Sequence, residues 1–112
     1  MNFYDKIHEL VKSFKETNEY KEFIALKQKI KANEEEYQLM KDFKEKQREH
    51  QMQLINGGQI DEKEKAEMQN TYSILIQKDD LRKLLECEMR LDILLADMQK
   101  IIADGIKEIV EF

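Results

Sequence analysis

The longest hydrophobic pattern of the chain lies near its C-terminal end. Between Asp79 and Ile109, apolar residues recur at intervals of three and four positions, which places them on one face of an α-helix. At 1.5 Å per residue, a helix of about thirty residues is roughly 45 Å long, whereas a small domain is about 30 Å across. One short neighbouring helix cannot cover this face. We therefore expect the rest of the chain, and a second copy of it, to pack against it.

The same spacing predicts four shorter helices before this one. The predicted helices of a single domain, residues 1–112, cover residues 2–16, 19–32, 34–55, 61–77 and 79–109. Asn33 and Asp61 each precede a glutamate by three positions, as in the capping box that begins many helices. Asn18 is the predicted cap of the second helix. The pair Gly57-Gly58 is the strongest break in the chain, because glycine adopts positive φ without a steric penalty at the end of a helix.

Helices three and four are apolar at only one end. Met40 and Phe43 begin an inward face of helix three that becomes polar at Gln47 and His50, and helix four is apolar only in its second half. This predicts a hairpin with an apolar base and a polar tip, and the tip is either solvated or docks a partner. The predicted fold class is all-α: an antiparallel helical bundle of about five helices, with a long C-terminal helix and a protruding helical hairpin.

The composition agrees with an all-helical protein and argues against several functions. The chain has no proline and three glycines, and these are the two residues that disfavour helices most. Its net charge is −5, whereas non-specific binding of nucleic acid requires a basic surface. Its apolar runs are far shorter than the roughly 20 residues of a membrane span. With one cysteine and no signal-peptide pattern, we expect a cytoplasmic protein without an internal disulfide.

No residue pattern predicts a catalytic residue, a cofactor or a metal. His8-Glu9 begins like a zinc-protease motif, but Lys12 stands where the second histidine ligand would be. His50 lies in a polar seam and is interpreted as a hydrogen-bonding residue of the hairpin. Cys87 lies among leucines and is interpreted as a packing residue. Glu88 is interpreted as a structural polar pair or as a residue at the edge of the apolar face. We therefore expect a protein that is not an enzyme.

The residues expected to contact a second copy or another protein are apolar and lie on the first and last helices. They are Phe3, Ile7 and Phe14 on the first, and Leu84, Leu91, Leu94, Leu95, Met98, Ile101 and Ile102 on the last. Replacing Leu95 or Met98 by aspartate would bury an unpaired charge and break the oligomer.

Short motifs along nearly the whole chain resemble the YlbF/YmcA/YheA family of small helical bacterial proteins. They lie at residues 4–10, 19–23, 26–33, 43–47, 56–61, 88–95 and 99–102. The resemblance implies an all-helical fold that forms dimers or higher oligomers. It also implies a regulatory role in Gram-positive bacteria, in competence, sporulation, biofilm formation or messenger-RNA maturation through a ribonuclease. Some members carry several cysteines and iron–sulfur clusters, which Cys87 alone cannot hold. The chain is most similar to the cysteine-poor YheA-like branch.

The preferred prediction is a non-catalytic regulatory or adaptor protein that acts through helix-mediated protein–protein interaction. Its partners would be itself, as a homodimer or higher oligomer, and another regulatory protein. Two alternatives belong to other classes. One is a metal- or cofactor-binding bundle that uses His50, Glu88 or Cys87. The other is a direct RNA-binding accessory protein that uses the lysines at positions 27–31.

Overall fold

The computed structural model describes residues 2–112, which form five α-helices and no strand. The helices are α1 (Phe3–Lys15), α2 (Asn18–Lys31), α3 (Glu34–Ile55), α4 (Glu62–Leu75) and α5 (Asp79–Gly105), and a 3₁₀ turn follows at Lys107–Ile109. The predicted all-α fold is confirmed. The fifth helix was predicted to continue to residue 109 but ends at Gly105. No helix among residues 2–112 has both the length and the apolarity that crossing a bilayer requires.

Side chains that precede the helices explain where the helices begin. The side-chain oxygen of Asn33 accepts a hydrogen bond from the Glu36 amide at 3.1 Å, and that of Asp61 accepts one from Glu64 at 2.7 Å. These two predicted caps are confirmed. The prediction that Asn18 caps the second helix is wrong, because Asn18 already belongs to α2. The Thr17 hydroxyl accepts from the amide three residues ahead at 3.2 Å and is the cap.

The chain divides into two compact units. The terminal unit comprises Met1–Ile24 and Leu85–Phe112, and the hairpin unit comprises Ala25–Leu84. Helices α2 and α5 each run from one unit into the other. That residues 1–112 form a single domain stays a prediction.

The hairpin unit contains most of the buried apolar side chains of the described residues. Helices α3 and α4 pack against each other, and the buried side chains are Ile30, Met40, Phe43, Leu75, Leu81 and Leu84. The Phe43 and Tyr72 rings, one on each helix of the hairpin, lie 6.1 Å apart between centroids. At the other end, Gly57 takes a φ of +82°, and the Gly58 amide donates to the Gln53 carbonyl at 2.7 Å. The predicted hairpin is therefore present, and its buried apolar residues lie near one end, whereas Met52, Leu54 and Ile55 near the other end are exposed.

The terminal unit buries much less. Within the described residues of this unit, only Cys87 and Leu91 on α5 are buried apolar side chains. No residue of α1 is buried, although its apolar residues follow a clear helical spacing. Most apolar side chains of the terminal unit are thus exposed or half-buried.

Candidate interaction surface of the terminal unit

Helix α1 is amphipathic but has little to pack against in its own chain. Phe3, Tyr4, Ile7, Leu10 and Val11 are all exposed, with Phe3 at 71% of its full accessibility. An isolated helix of fewer than about 12–15 residues is marginal in water, and most helices in proteins are stabilised by packing of an apolar face. The 13 residues of α1 therefore need a partner surface for this face.

An apolar groove lies between α1 and the C-terminal half of α5. Its volume is about 390 Å³. The lining residues are Leu10, Ser13, Phe14 and Thr17 on the α1 side, and Leu94, Asp97, Met98, Ile101 and Ile102 on α5. Asp97 is the one charged residue among the described residues that line it. The groove is open to solvent, and Ile101 at its edge is 72% exposed.

The turn between α1 and α2 holds one end of the groove in place. The Thr17 hydroxyl donates to the Phe14 carbonyl at 2.7 Å and caps α2 with the same oxygen. The Phe14 ring meets the Tyr20 ring edge-on, with centroids 5.7 Å apart and an interplanar angle of 70°. Contacts with Thr17 and Tyr20 therefore help to position Phe14 as a wall of the groove.

Two contacts join α2 to α5 within the terminal unit. The thiol of the fully buried Cys87 donates to the Glu19 carbonyl at 3.3 Å, and Arg90 pairs with Glu22 at 3.4 Å. Burial raises the pKa of the Cys87 thiol, and the Glu22 carboxylate raises it further. A neutral, buried thiol is a poor nucleophile and a poor metal ligand. The interpretation of Cys87 as a packing residue agrees with this position.

The structure brings half of the predicted interface residues together in the groove. These are Phe14, Leu94, Met98, Ile101 and Ile102. Phe3, Ile7 and Leu95 lie outside the groove and are exposed in the same unit.

Two of the predicted interface residues do not belong to an open surface. Leu84 and Leu91 are buried inside the chain, so a partner cannot reach them. Sequence reasoning omitted Leu10 from the surface, although its position between Ile7 and Phe14 on the apolar face of α1 was a sufficient signal.

The hairpin unit contains a second, smaller cavity between α3 and α4. The Nε2 of His50 lies 3.9 Å from a carboxylate oxygen of Glu64, and the His50 side chain is mostly buried. The cavity has a volume of about 100 Å³, and its other lining residues are Lys46, Glu67, Met68 and Thr71. Among residues 2–112, no three His, Cys, Asp or Glu side chains are placed to hold a metal ion. Glu88, the other polar residue singled out on α5, is half-buried.

The lysines at positions 27–31 do not form an isolated basic patch. Lys27, Lys29 and Lys31 are exposed on α2, and Lys29 pairs with Asp80 of α5 at 3.3 Å. Lys27 also has an interaction partner.

The family of the chain follows from its sequence along most of its length. A family model described as "Control of competence regulator ComK, YlbF/YmcA" matches residues 3–107. The chain belongs to this family. The family membership predicted from the short motifs is thereby confirmed.

Several relatives align over nearly their whole length. The UPF0342 protein of Symbiobacterium thermophilum is 37% identical over 103 residues, which cover 92% of each chain. The UPF0342 protein of Caldicellulosiruptor bescii is 38% identical over 106 residues, covering 95% of this chain and 89% of the relative.

Two solved structures share the fold. A protein of unknown function (DUF964) from Bacillus stearothermophilus superposes with a TM-score of 0.83 at 16% identity, covering 96% of this chain and 95% of the other. The yheA protein from Bacillus subtilis superposes with a TM-score of 0.69 at 22% identity, covering 97% and 99%. At these identities the likeness concerns the fold alone.

Proposed function

We propose that this chain is a non-catalytic cytoplasmic regulatory or adaptor protein that acts through the apolar surface of its terminal unit. The observation that carries the proposal is the uneven burial of apolar side chains. Of the eight buried apolar side chains among the described residues, the hairpin unit contains six, whereas the terminal unit leaves an apolar groove and most of the apolar face of α1 in solvent. Large exposed apolar patches on soluble proteins typically mark interaction sites.

The first partner we propose is a second copy of the chain. In a two-fold dimer, each copy contacts the other through the same surface, so the apolar face of both copies is buried in one interface. Each square ångström of apolar surface removed from water contributes about 25 cal/mol. Burial of this kind would stabilise α1, which has no buried residue of its own. A homodimer is the simplest assembly of this type, and a higher oligomer would use the same faces.

The second partner we propose is another regulatory protein. The family description names control of the competence regulator ComK, which is a regulatory role and not a reaction. An amphipathic helix laid into a hydrophobic groove is a common form of such recognition, and the groove between α1 and α5 has the required apolar lining. By analogy with the family, the process would be bacterial development or messenger-RNA processing.

A charge introduced into the groove tests the proposal. We expect the wild-type protein to have the mass of a dimer or larger in light scattering. Met98→Asp should reduce the mass to that of one chain, because the carboxylate would be buried without a partner. Leu95→Asp, beside the groove on the same helix, should weaken the assembly as well. Met89→Asp is the matched control, since Met89 is 64% exposed on α5 and does not line the groove.

The same variants separate self-association from binding of a second protein. Affinity capture from the native cell with wild type, Met98→Asp and Met89→Asp should recover a protein that is lost only with Met98→Asp. A wild-type mass of one chain would contradict self-association. Recovery of the same proteins with all three variants would contradict a role of the groove in recognition.

A further inference from the structure

The last seven residues of the chain form an exposed apolar segment. Residues 106–112 contain Ile106, Ile109, Val110 and Phe112, and all four are exposed. We call residues 106–112 the C-terminal segment. Its apolar side chains are of the kinds that proteins usually bury, but here they are exposed to solvent. Its charged residues are Lys107, Glu108 and Glu111.

The C-terminal segment does not cover the groove of its own chain. None of its residues lines the groove, whose α5 wall ends at Ile102. Its backbone continues in helical turns beyond Gly105: the Ile109 amide donates to the Ile106 carbonyl at 3.1 Å, and the Val110 amide donates to the Lys107 carbonyl at 3.0 Å. These bonds join residues of the C-terminal segment to one another, so the segment forms a short turn of its own after α5.

We propose that the C-terminal segment of a second copy fills the groove between α1 and α5, and that each copy of a dimer does this for the other. The inference rests on the self-association proposed above and names the segment that is exchanged. Phe112 and Val110 would supply apolar side chains whose removal from water favours the contact. The groove offers them Leu10, Phe14 and Met98 as apolar walls.

One pair of opposite charges supports the same pairing, although Glu108 and Glu111 give the segment two acids as well. Asp97 is the one charged residue among the described residues lining the groove, and Lys107 is the one basic residue of the segment. The structure gives neither an ion-pair partner within residues 2–112. In the exchanged dimer, Lys107 of one copy meets Asp97 of the other at the rim of the groove. Reciprocal exchange uses the same contact twice and closes with two-fold symmetry, so it ends at a dimer.

Charge reversal tests the pairing. Asp97→Lys and Lys107→Asp should each weaken the dimer at least about tenfold, because each places like charges together at the interface. The double variant should recover most of the affinity, because it restores the pair with the charges exchanged. Dissociation constants from sedimentation equilibrium at several concentrations give the comparison. If each single variant weakens the dimer and the double variant shows the sum of both losses, the pairing is wrong.

Disulfide trapping tests which chain supplies the segment. One copy carries Ser13→Cys, on the α1 wall of the groove, and the other carries Val110→Cys and a tag that changes its size. Oxidation of the mixture should give a covalent dimer of the two different chains. The control replaces Ser13→Cys by Met89→Cys, which lies outside the groove and should give none. The native Cys87 is fully buried and does not compete.

The outcomes distinguish this inference from the proposed function. A dimer in light scattering without the Ser13–Val110 crosslink would overturn the exchange but leave self-association intact. A crosslink inside one chain that carries both substitutions would show that the segment covers its own groove, which also overturns the exchange. A wild-type protein with the mass of one chain would overturn self-association itself.

Discussion

The hairpin unit and the terminal unit are both built from helices with apolar faces, but they differ in how much of those faces is buried. In the hairpin unit, six of the apolar side chains named above are buried, and Leu75 and Leu81 are completely inaccessible. In the terminal unit, exposed apolar residues follow α1, the second half of α5 and the C-terminal segment. The hairpin unit has a core of its own, whereas the terminal unit has an apolar surface that the rest of the chain does not cover.

The difference shows that an amphipathic pattern alone does not specify what covers it. The apolar positions of α3 are met by α4 from the same chain, joined by a short connection around Gly57. Those of α1 are met only in part by α5, because a helix contacts one sector of a neighbour and leaves the rest free. A unit with so few buried residues is marginal by itself. We therefore expect the two units to respond differently to core substitutions and to dilution.

The largest effect should come from the core of the hairpin unit. Leu75→Ala should lower the free energy of unfolding by about 2–5 kcal/mol, since it removes apolar contacts and leaves a cavity. Ile74→Ala is the matched control, because Ile74 precedes it on α4 and is 52% exposed, whereas Leu75 is 0% exposed. Urea unfolding at a fixed protein concentration measures both. Equal losses for the two variants would mean that the hairpin unit does not have the core described here.

Dilution should affect the terminal unit and leave the hairpin unit unchanged. If a second copy stabilises α1, each tenfold dilution near the dissociation constant should cost α1 up to about 1.4 kcal/mol of protection against hydrogen exchange. The amides of α3 and α4 pack within one chain and should exchange at the same rate throughout. Deuterium uptake followed by mass spectrometry at several concentrations resolves the two regions. Equal protection of α1 at all protein concentrations would contradict the proposal that a second copy stabilises α1.

The sequence was sufficient for features that depend on neighbouring positions. The caps Asn33 and Asp61 act on amides three residues away, so a pattern of four residues identifies them. Thr17 and Asn18 are both good capping residues, and the choice between them depends on the turn: Thr17 can donate to the carbonyl of Phe14 and accept from an α2 amide at once. Such a choice depends on backbone geometry that the residue types do not reveal.

Neighbouring residue types do not determine where α5 ends or which part of its surface stays open. The apolar spacing continues to Ile106 and Ile109, which favoured a longer helix, but glycine at position 105 weakens the helix there and a 3₁₀ turn follows. Leu84 and Ile102 lie on the same side of α5, since 18 residues make five turns at 3.6 residues per turn, yet Leu84 is buried and Ile102 is exposed. Periodicity identifies a face, but the packing of other helices decides which part of it remains available.

The smallest effect should come from the ion pair of the terminal unit. Arg90 and Glu22 lie 3.4 Å apart with side chains 47% and 52% exposed, so solvent and salt screen their attraction. Arg90→Met should change the free energy of unfolding by less than about 0.5 kcal/mol, and 1 M salt should remove the difference. Leu91→Ala, at the adjacent buried position, should cost about 2–5 kcal/mol by comparison. Urea unfolding at low and high salt measures both variants. If Arg90→Met lost as much stability as Leu91→Ala, charge pairing and not apolar burial would hold α2 to α5. The open apolar surface would then matter less to the stability of the terminal unit.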